Sequence, residues 1–189
     1  MEATPQKVEL TPEELYQKIE NGNHRLSRAT VYGNLNFLKA EITERLIIDR
    51  TEVKGWLSFK KTKIKKGLDL IANQIEGGLD LQGASVKNNL NIIGVVINGN
   101  FDLSQGIIYN NLSIIGSIIA GSLYLNNALI KGNLFIRESK IEEINMVGTK
   151  VQGMIDISSK KIKKIYVGGE KMANIVHLTA PTIPLVIVK

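Results

Sequence analysis

The sequence predicts an all-β fold, a parallel β-solenoid with 22 residues per coil and a short capping helix at its N-terminal end. Three observations predict it. The stretch "NNLNIIG" at 88–94 returns 22 residues later as "NNLSIIG" at 110–116, with a single change. An apolar-x-apolar pair recurs every eleven residues, its first member at Leu35, Leu46, Leu57, Leu68, Leu79, Leu90, Phe101, Leu112, Leu123 and Leu134, and a fixed period of this kind marks a repeat architecture. A Gly or Asn punctuates most units, at Gly33, Gly55, Gly77, Asn88, Gly99, Asn110, Gly121 and Gly132, which excludes a helical reading of the repeat.

In chain order, residues 1–10 read as a flexible N-terminal segment and residues 11–28 as the capping helix with the loop into the first coil. Thr11 is a candidate N-cap, Pro12 takes the first helical position, two Glu follow, and Asn21-Gly22 is a stop signal. Leu15, Ile19 and Leu10 fall on one face, the face expected to cover the open end of the apolar core, because a terminal coil has no further neighbour to do so.

Residues 29–178 form the repeat. Each unit reads small, x, Ile, x, Gly/Asn, x, Leu, x, Leu, x, x, as in "ASVKNNLNIIG" at 84–94. Apolar residues at the third, seventh and ninth positions face inward in alternating strands. The fifth position is expected to need φ > 0. The series continues through Ile144, Ile155, Ile165 and Val176, where two units lose one residue just before the pair; that places the loss in a loop. The tenth and eleventh positions read Ile71-Ala72, Ile93-Gly94 and Ile115-Gly116 in one alternate set, and Gln82-Gly83, Ser104-Gln105 and Asn126-Asn127 in the other. Side chains that repeat at 22 and not at eleven imply two units per coil. Asn89, Asn111 and Asn133 then stack as a ladder at one corner. Leu90 faces in and Asn91 out, so Leu90→Asp is expected to unfold the chain and Asn91→Asp to be nearly silent. Residues 179–189, "TAPTIPLVIVK", are expected to cap the last coil or to pair with another chain.

The pattern resembles the pentapeptide-repeat family through "LDL" at 68–70 and 79–81, "LNI" at 90–92, "FDL" at 101–103 and "ASV" at 84–86. The resemblance implies a right-handed, four-sided β-helix over 29–178; bactofilin-type β-helices are the nearest alternative relatives. Some pentapeptide-repeat proteins mimic DNA and bind topoisomerase with an acidic surface. The formal charge of +6 argues against that activity here.

Little in the sequence offers catalysis. With no Cys, there is neither a thiol nucleophile nor a thiolate metal site. His24 and His177 read as surface residues, and Asp69, Asp80 and Asp102 as turn and ladder residues on two different sides. No Gly-rich phosphate fingerprint occurs, since the glycines are spread one per unit. Hexapeptide acyltransferases need a period of six and a His between coils, and neither is present. No catalytic residue, metal ligand or cofactor is expected. Without a leader-like start or an apolar run of membrane-spanning length, a cytoplasmic setting is the default.

Two kinds of surface remain. Lys60, Lys61, Lys63, Lys65 and Lys66 form one basic cluster and Lys160, Lys161, Lys163 and Lys164 another. These are either solvated faces or contacts for nucleic acid or another anionic polymer, although they lack aromatics that would stack on bases. Ile71, Ile93 and Ile115, with Val96 and Ile118 beside them, form an outward apolar stripe; Leu185 and Ile187 lie in the C-terminal strand. These seven are the candidate self-association residues. The function expected is a non-catalytic β-helical scaffold that binds a protein partner or forms a homo-oligomer, with anionic-polymer binding as the alternative.

Overall fold

The computed structural model describes residues 8–159, 161–168, 175–178 and 185–188. Its coils up to Ile130 each lay down four short strands, and equivalent strands of successive coils pair in parallel along four sides. The first side carries the longest strands, Leu46–Asp49, Leu68–Ile71, Leu90–Ile93, Leu112–Ile115, Leu134–Arg137 and Ile155–Ser158. The second carries Glu52–Val53, Gln74–Ile75, Val96–Ile97 and Ile118–Ile119; the third Leu57–Ser58, Leu79–Asp80, Phe101–Asp102 and Leu123–Tyr124; the fourth Lys63–Ile64, Ser85–Val86, Ile107–Ile108 and Leu129–Ile130. Leu68 pairs with Leu90, Leu90 with Leu112 and Leu112 with Leu134, which is the 22-residue register the repeated heptad predicts. Two apolar-x-apolar pairs per coil place Leu68, Leu70, Leu79 and Leu81 inside, with Ile75 and Val86 from the shorter runs, all fully buried.

Of the corner glycines expected to need positive φ, Gly33 has it, at φ 96°, and the others serve a different purpose. Gly55, Gly77, Gly99 and Gly121 do not have positive φ; that conformation falls on the eleventh position instead, at Arg28, Lys39, Arg50, Lys61, Ala72, Gly83, Gly94, Gln105, Gly116, Asn127 and Glu138. Eight non-glycine residues among the described chain adopt it, so the eleventh position never demanded Gly. The fifth position at the second-to-third corner does, because coils approach backbone to backbone there: a Cβ on Gly99 would sit 2.9 Å from the Gly77 carbonyl oxygen and 3.2 Å from Gly78 Cα. Amides at this corner bond directly to the glycine below, Gly99 N–H to Gly77 O at 2.8 Å and Gly121 N–H to Gly99 O at 3.1 Å.

Two other corners solve one problem in two ways. At the third-to-fourth corner the first residue of each unit donates its N–H three residues back, Ala84 to Leu81 O and Ala128 to Leu125 O at 2.9 Å each. At the first-to-second corner that bond is replaced by a buried side-chain ladder. Thr51 N–H donates to Asn73 Oδ1 at 3.0 Å, Val95 N–H to Ser117 Oγ at 3.1 Å and Ser117 N–H to Ser139 Oγ at 3.2 Å. An orphaned buried N–H is costly, so a polar side chain is needed at one corner while Ala suffices at the other.

The shortened units are straightened corners rather than trimmed loops. With one residue gone, Lys140–Met146 and Lys161–Gly168 run unbroken from the second side to the third, and Lys140–Met146 pairs with both Ile118–Ile119 and Leu123–Tyr124. The two sides therefore join into one 14-stranded sheet.

At the N-terminal end, helix α1 spans Pro12–Glu20, with Thr11 and Glu14 forming a capping box and Asn21 as C-cap. Leu15 is fully buried and Leu10 nearly so, while Ile19 packs on the core. Tyr16 meets Phe37 edge-on, and Phe37 stacks on Phe59 with ring centroids 4.7 Å apart. The segment expected to be flexible ends in a strand: Val8–Leu10 pairs with Ala29–Val31. Arg25–Ser27, expected as loop, already pairs with the first side.

Candidate interaction surfaces

The apolar stripe occupies the corner between the first and second sides. Ile71, Ile93 and Ile115 are register partners on the first side, and Gln74, Val96 and Ile118 on the second. Ile93 and Ile118 are each 39% exposed, and Ile71, Val96 and Ile115 are half-buried, because β-branched side chains one strand apart shield each other. Between the columns runs a ledge of Ala72, Gly94 and Gly116. A Cβ on Gly116 would meet nothing within 4 Å, and one on Gly94 only Ala72 Cα at 4.0 Å. Three coils in a row therefore present an apolar first-side column, with Val96 and Ile118 of the second side facing it over two of them, across a ledge of Ala and Gly. Arg50 and Glu138 continue the ledge at its two ends, with the same positive φ.

Of the C-terminal residues, Ile187 is 67% exposed on the strand Leu185–Val188, which pairs with Lys161–Gly168. The side chain of Leu185 lies outside the described residues.

The basic clusters do not form one surface. Lys63 projects from the fourth side, while Lys161 pairs with Lys140 at the second-side end of a long strand, about five coils or ~24 Å further along the axis. Lys65 and Lys66 form ion pairs with Glu41 and Glu44 one coil below. The hydrogen bonds from these two lysines hold both carboxyls below the usual range. Lys163 pairs with Glu142. Lys60 is half-buried, Lys61, Lys161 and Lys164 are exposed, and Lys160 lies outside the described residues.

At the fourth-to-first corner Lys65 and Lys66 of the first cluster meet two cations from outside it, Arg45 and Lys87. Arg45, Lys65, Lys66 and Lys87 line a cleft of about 260 Å³ with Gly67, Asp69, Asn88 and Asn89. Lys87 and Lys131, two coils apart, cover the ring of Tyr109 from 3.6 and 4.2 Å. A hydrogen bond from Lys87, then its charge, lowers the Tyr109 phenol pKa. In sequence Lys87, Tyr109 and Lys131 lie 22 apart, one per coil, so no local run of Lys signals them. The expected Asn ladder forms beside them: Asn111 N–H donates to Asn89 Oδ1 at 3.1 Å and Asn133 N–H to Asn111 Oδ1 at 2.8 Å.

The acids are held in place by neighbours. Asp69 is buried and accepts from Arg45 Nε at 2.6 Å and Asn91 Nδ2 at 2.7 Å. Asn91 thus faces outward as expected, yet its amide anchors a buried carboxylate, so a silent Asn91→Asp is not the outcome this contact supports. Asp80 and Asp102 accept from the N–H two residues on, at 2.8 and 2.7 Å. Asp49 is buried; burial raises its pKa, but hydrogen bonds from Arg50 and Ser27 and the charges of Arg25 and Arg50 outweigh this and leave it lowered. His24 Nδ1 is 2.9 Å from Gly22 O. The side chain of His177 lies outside the described residues. Among the described residues, no helix is long and apolar enough to cross a membrane.

No protein-family model matches the chain, and no curated protein sequence matches it. Among solved structures it is similar to QnrB1, a plasmid-mediated fluoroquinolone resistance protein, at 10% identity and a TM-score of 0.24, over 82% of this chain and 92% of that one. The parallel β-solenoid rests on the strand register itself.

Proposed function

We propose that the protein is a non-catalytic β-helical scaffold that works by self-association through the apolar corner between its first and second sides, in a cytoplasmic setting. The observation that supports this reading is the three-coil stretch in which Ile71, Ile93, Ile115, Val96 and Ile118 flank the ledge of Ala72, Gly94 and Gly116. Apolar area on a flat surface leaves water only when another surface covers it, and a solenoid's straight columns suit a second rigid body. The solution mass of the wild-type chain should rise with concentration and keep rising in high salt, as apolar association does. Loss of the rise in high salt would move the interface to charged groups. A lateral mass gain unaffected by the stripe would favour the C-terminal strand carrying Leu185 and Ile187.

A second reading is favoured by the cleft of Arg45, Lys65, Lys66 and Lys87, in which four cations meet one lining carboxylate, Asp69. The exposed pairs of Lys65 and Lys66 are weak enough to be exchanged for a multivalent anion. Pyrophosphate and a single-stranded oligonucleotide serve as probes at low salt. Lys65→Gln with Lys87→Gln should weaken binding about tenfold or more, and Lys161→Gln with Lys164→Gln should not. Equal effects from both pairs, or no binding of either probe, would leave these lysines as solvated surface.

A further inference from the structure

The ends of the apolar corner carry charges whose arrangement specifies how a second copy can dock. Counting outward from the coil of Ile93, the ledge reads Arg50, Ala72, Gly94, Gly116, Glu138, and the second-side column reads Glu52, Gln74, Val96, Ile118, Lys140. The first-side column reads Asp49, Ile71, Ile93, Ile115, Arg137. All three are centred on one coil and end in opposite charges. We infer that two copies pack corner to corner with antiparallel solenoid axes, about a two-fold axis that crosses the corner at the coil of Ile93 and Gly94.

This inference rests on the self-association reading and adds its geometry. A two-fold axis lying in the interface and perpendicular to the solenoid sets each column on its own reverse. Ile93 then meets Ile93 of the second copy, and Ile71 meets Ile115. Arg50 meets Glu138, and Glu52 meets Lys140, each contact occurring twice. The alternative axis, along the solenoid, gives parallel copies and sets like on like: Arg50 on Arg50, Glu138 on Glu138, Glu52 beside Asp49, and Lys140 beside Arg137. Like-charge juxtaposition disfavours an arrangement more firmly than exposed pairs favour one. Arg50 already pairs with Asp49, which Arg25 also reaches, and Glu52 pairs with Lys54, so the contacts that choose the orientation are those the exposed Glu138 and Lys140 add to Arg50 and Glu52 while these keep their partners within the chain.

The patch is short. From Arg50 to Glu138 is four coil steps, about 19 Å, which belongs to the small, dissociable class of interfaces. The dimer is therefore expected to be concentration-dependent.

The chain has no Cys, so single cysteines report orientation directly. Ile71→Cys and Ile115→Cys chains, one of them isotope-labelled so that the two differ in mass, are mixed and oxidised at a concentration where wild type is dimeric. The antiparallel arrangement predicts that the mixed disulfide between positions 71 and 115 dominates both homodisulfides. In parallel, Glu138→Arg should weaken the dimer about three- to tenfold at low salt, and Arg50→Glu in the same chain should restore it. Melting curves confirm that each variant stays folded. A wild-type chain that stays monomeric overturns the self-association reading and this inference with it. A dimer whose disulfides form in random proportion, or which ignores both charge reversals, overturns the antiparallel geometry while self-association stands.

Discussion

Ser117→Ala is the smallest change that tests how the first-to-second corner is held. Ser117 is 1% exposed; its Oγ accepts from Val95 N–H at 3.1 Å and lies 3.1 Å from Ile92 O, to which it donates. Removing the hydroxyl orphans a buried donor, at about 1–3 kcal/mol, and deletes one hydrogen bond worth about 1 kcal/mol. The total, about 2–4 kcal/mol, corresponds to a fall in melting temperature of about 4–16 °C for a chain of this size. Ser117→Thr keeps the hydroxyl, and the equivalent Thr51 already sits buried in that column; it should stay within about 1 kcal/mol of wild type. Thermal and urea melts followed by circular dichroism measure both. If Ser117→Ala melts with wild type, the side-chain ladder does not hold this corner, and the N–H of Val95 has another partner.

Gly99→Ala, whose Cβ would press on the backbone of Gly77 and Gly78, should cost about 2–3 kcal/mol, against about 1 kcal/mol for Gly116→Ala, which meets open space and bears only left-handed strain; equal losses in urea midpoint would contradict the close-approach explanation. Asn91→Asp sets a second carboxylate against buried Asp69 and should lower stability by about 1–3 kcal/mol, where an unchanged midpoint would show that the contact contributes nothing. Asp49, with its carboxyl pKa lowered in the fold, contributes stability that is present above its unfolded pKa of about 3.9 and lost as pH falls through the folded value; Asp49→Asn should flatten the acid limb of a stability-against-pH curve, and an identical limb would remove this carboxylate from the acid response.

The coil was legible because its determinants are periodic. Identical inward residues at 22, the Leu90 register, the Asn89–Asn111–Asn133 ladder and the Thr11 cap can all be read from spacing alone. The role of the glycines was not legible, since a corner Gly signals either positive φ or close approach, and only stacked coils show that Gly77 is needed for the latter while Lys61 tolerates the former. Deletion of one residue before Ile144 suggested a loop because sequence cannot distinguish a shortened loop from a strand run straight through a corner. The basic corner was legible only in part, for a related reason. Lys65 and Lys66 stand out within "KKTKIKK", whereas Lys87, Tyr109 and Lys131 lie one per coil and Arg45 stands alone, so a local charge run does not join them to that cluster.

The most direct test of self-association through the apolar corner is sedimentation equilibrium on wild type and on Ile93→Lys with Ile115→Lys, over the same concentration range. Both substitutions fall on outward positions of the first side and leave the buried Leu90, Ile92, Leu112 and Ile114 in place. Wild type is predicted to pass from monomer to dimer while the double variant stays monomeric with its fold intact; equal masses for the two at every concentration would contradict the claim.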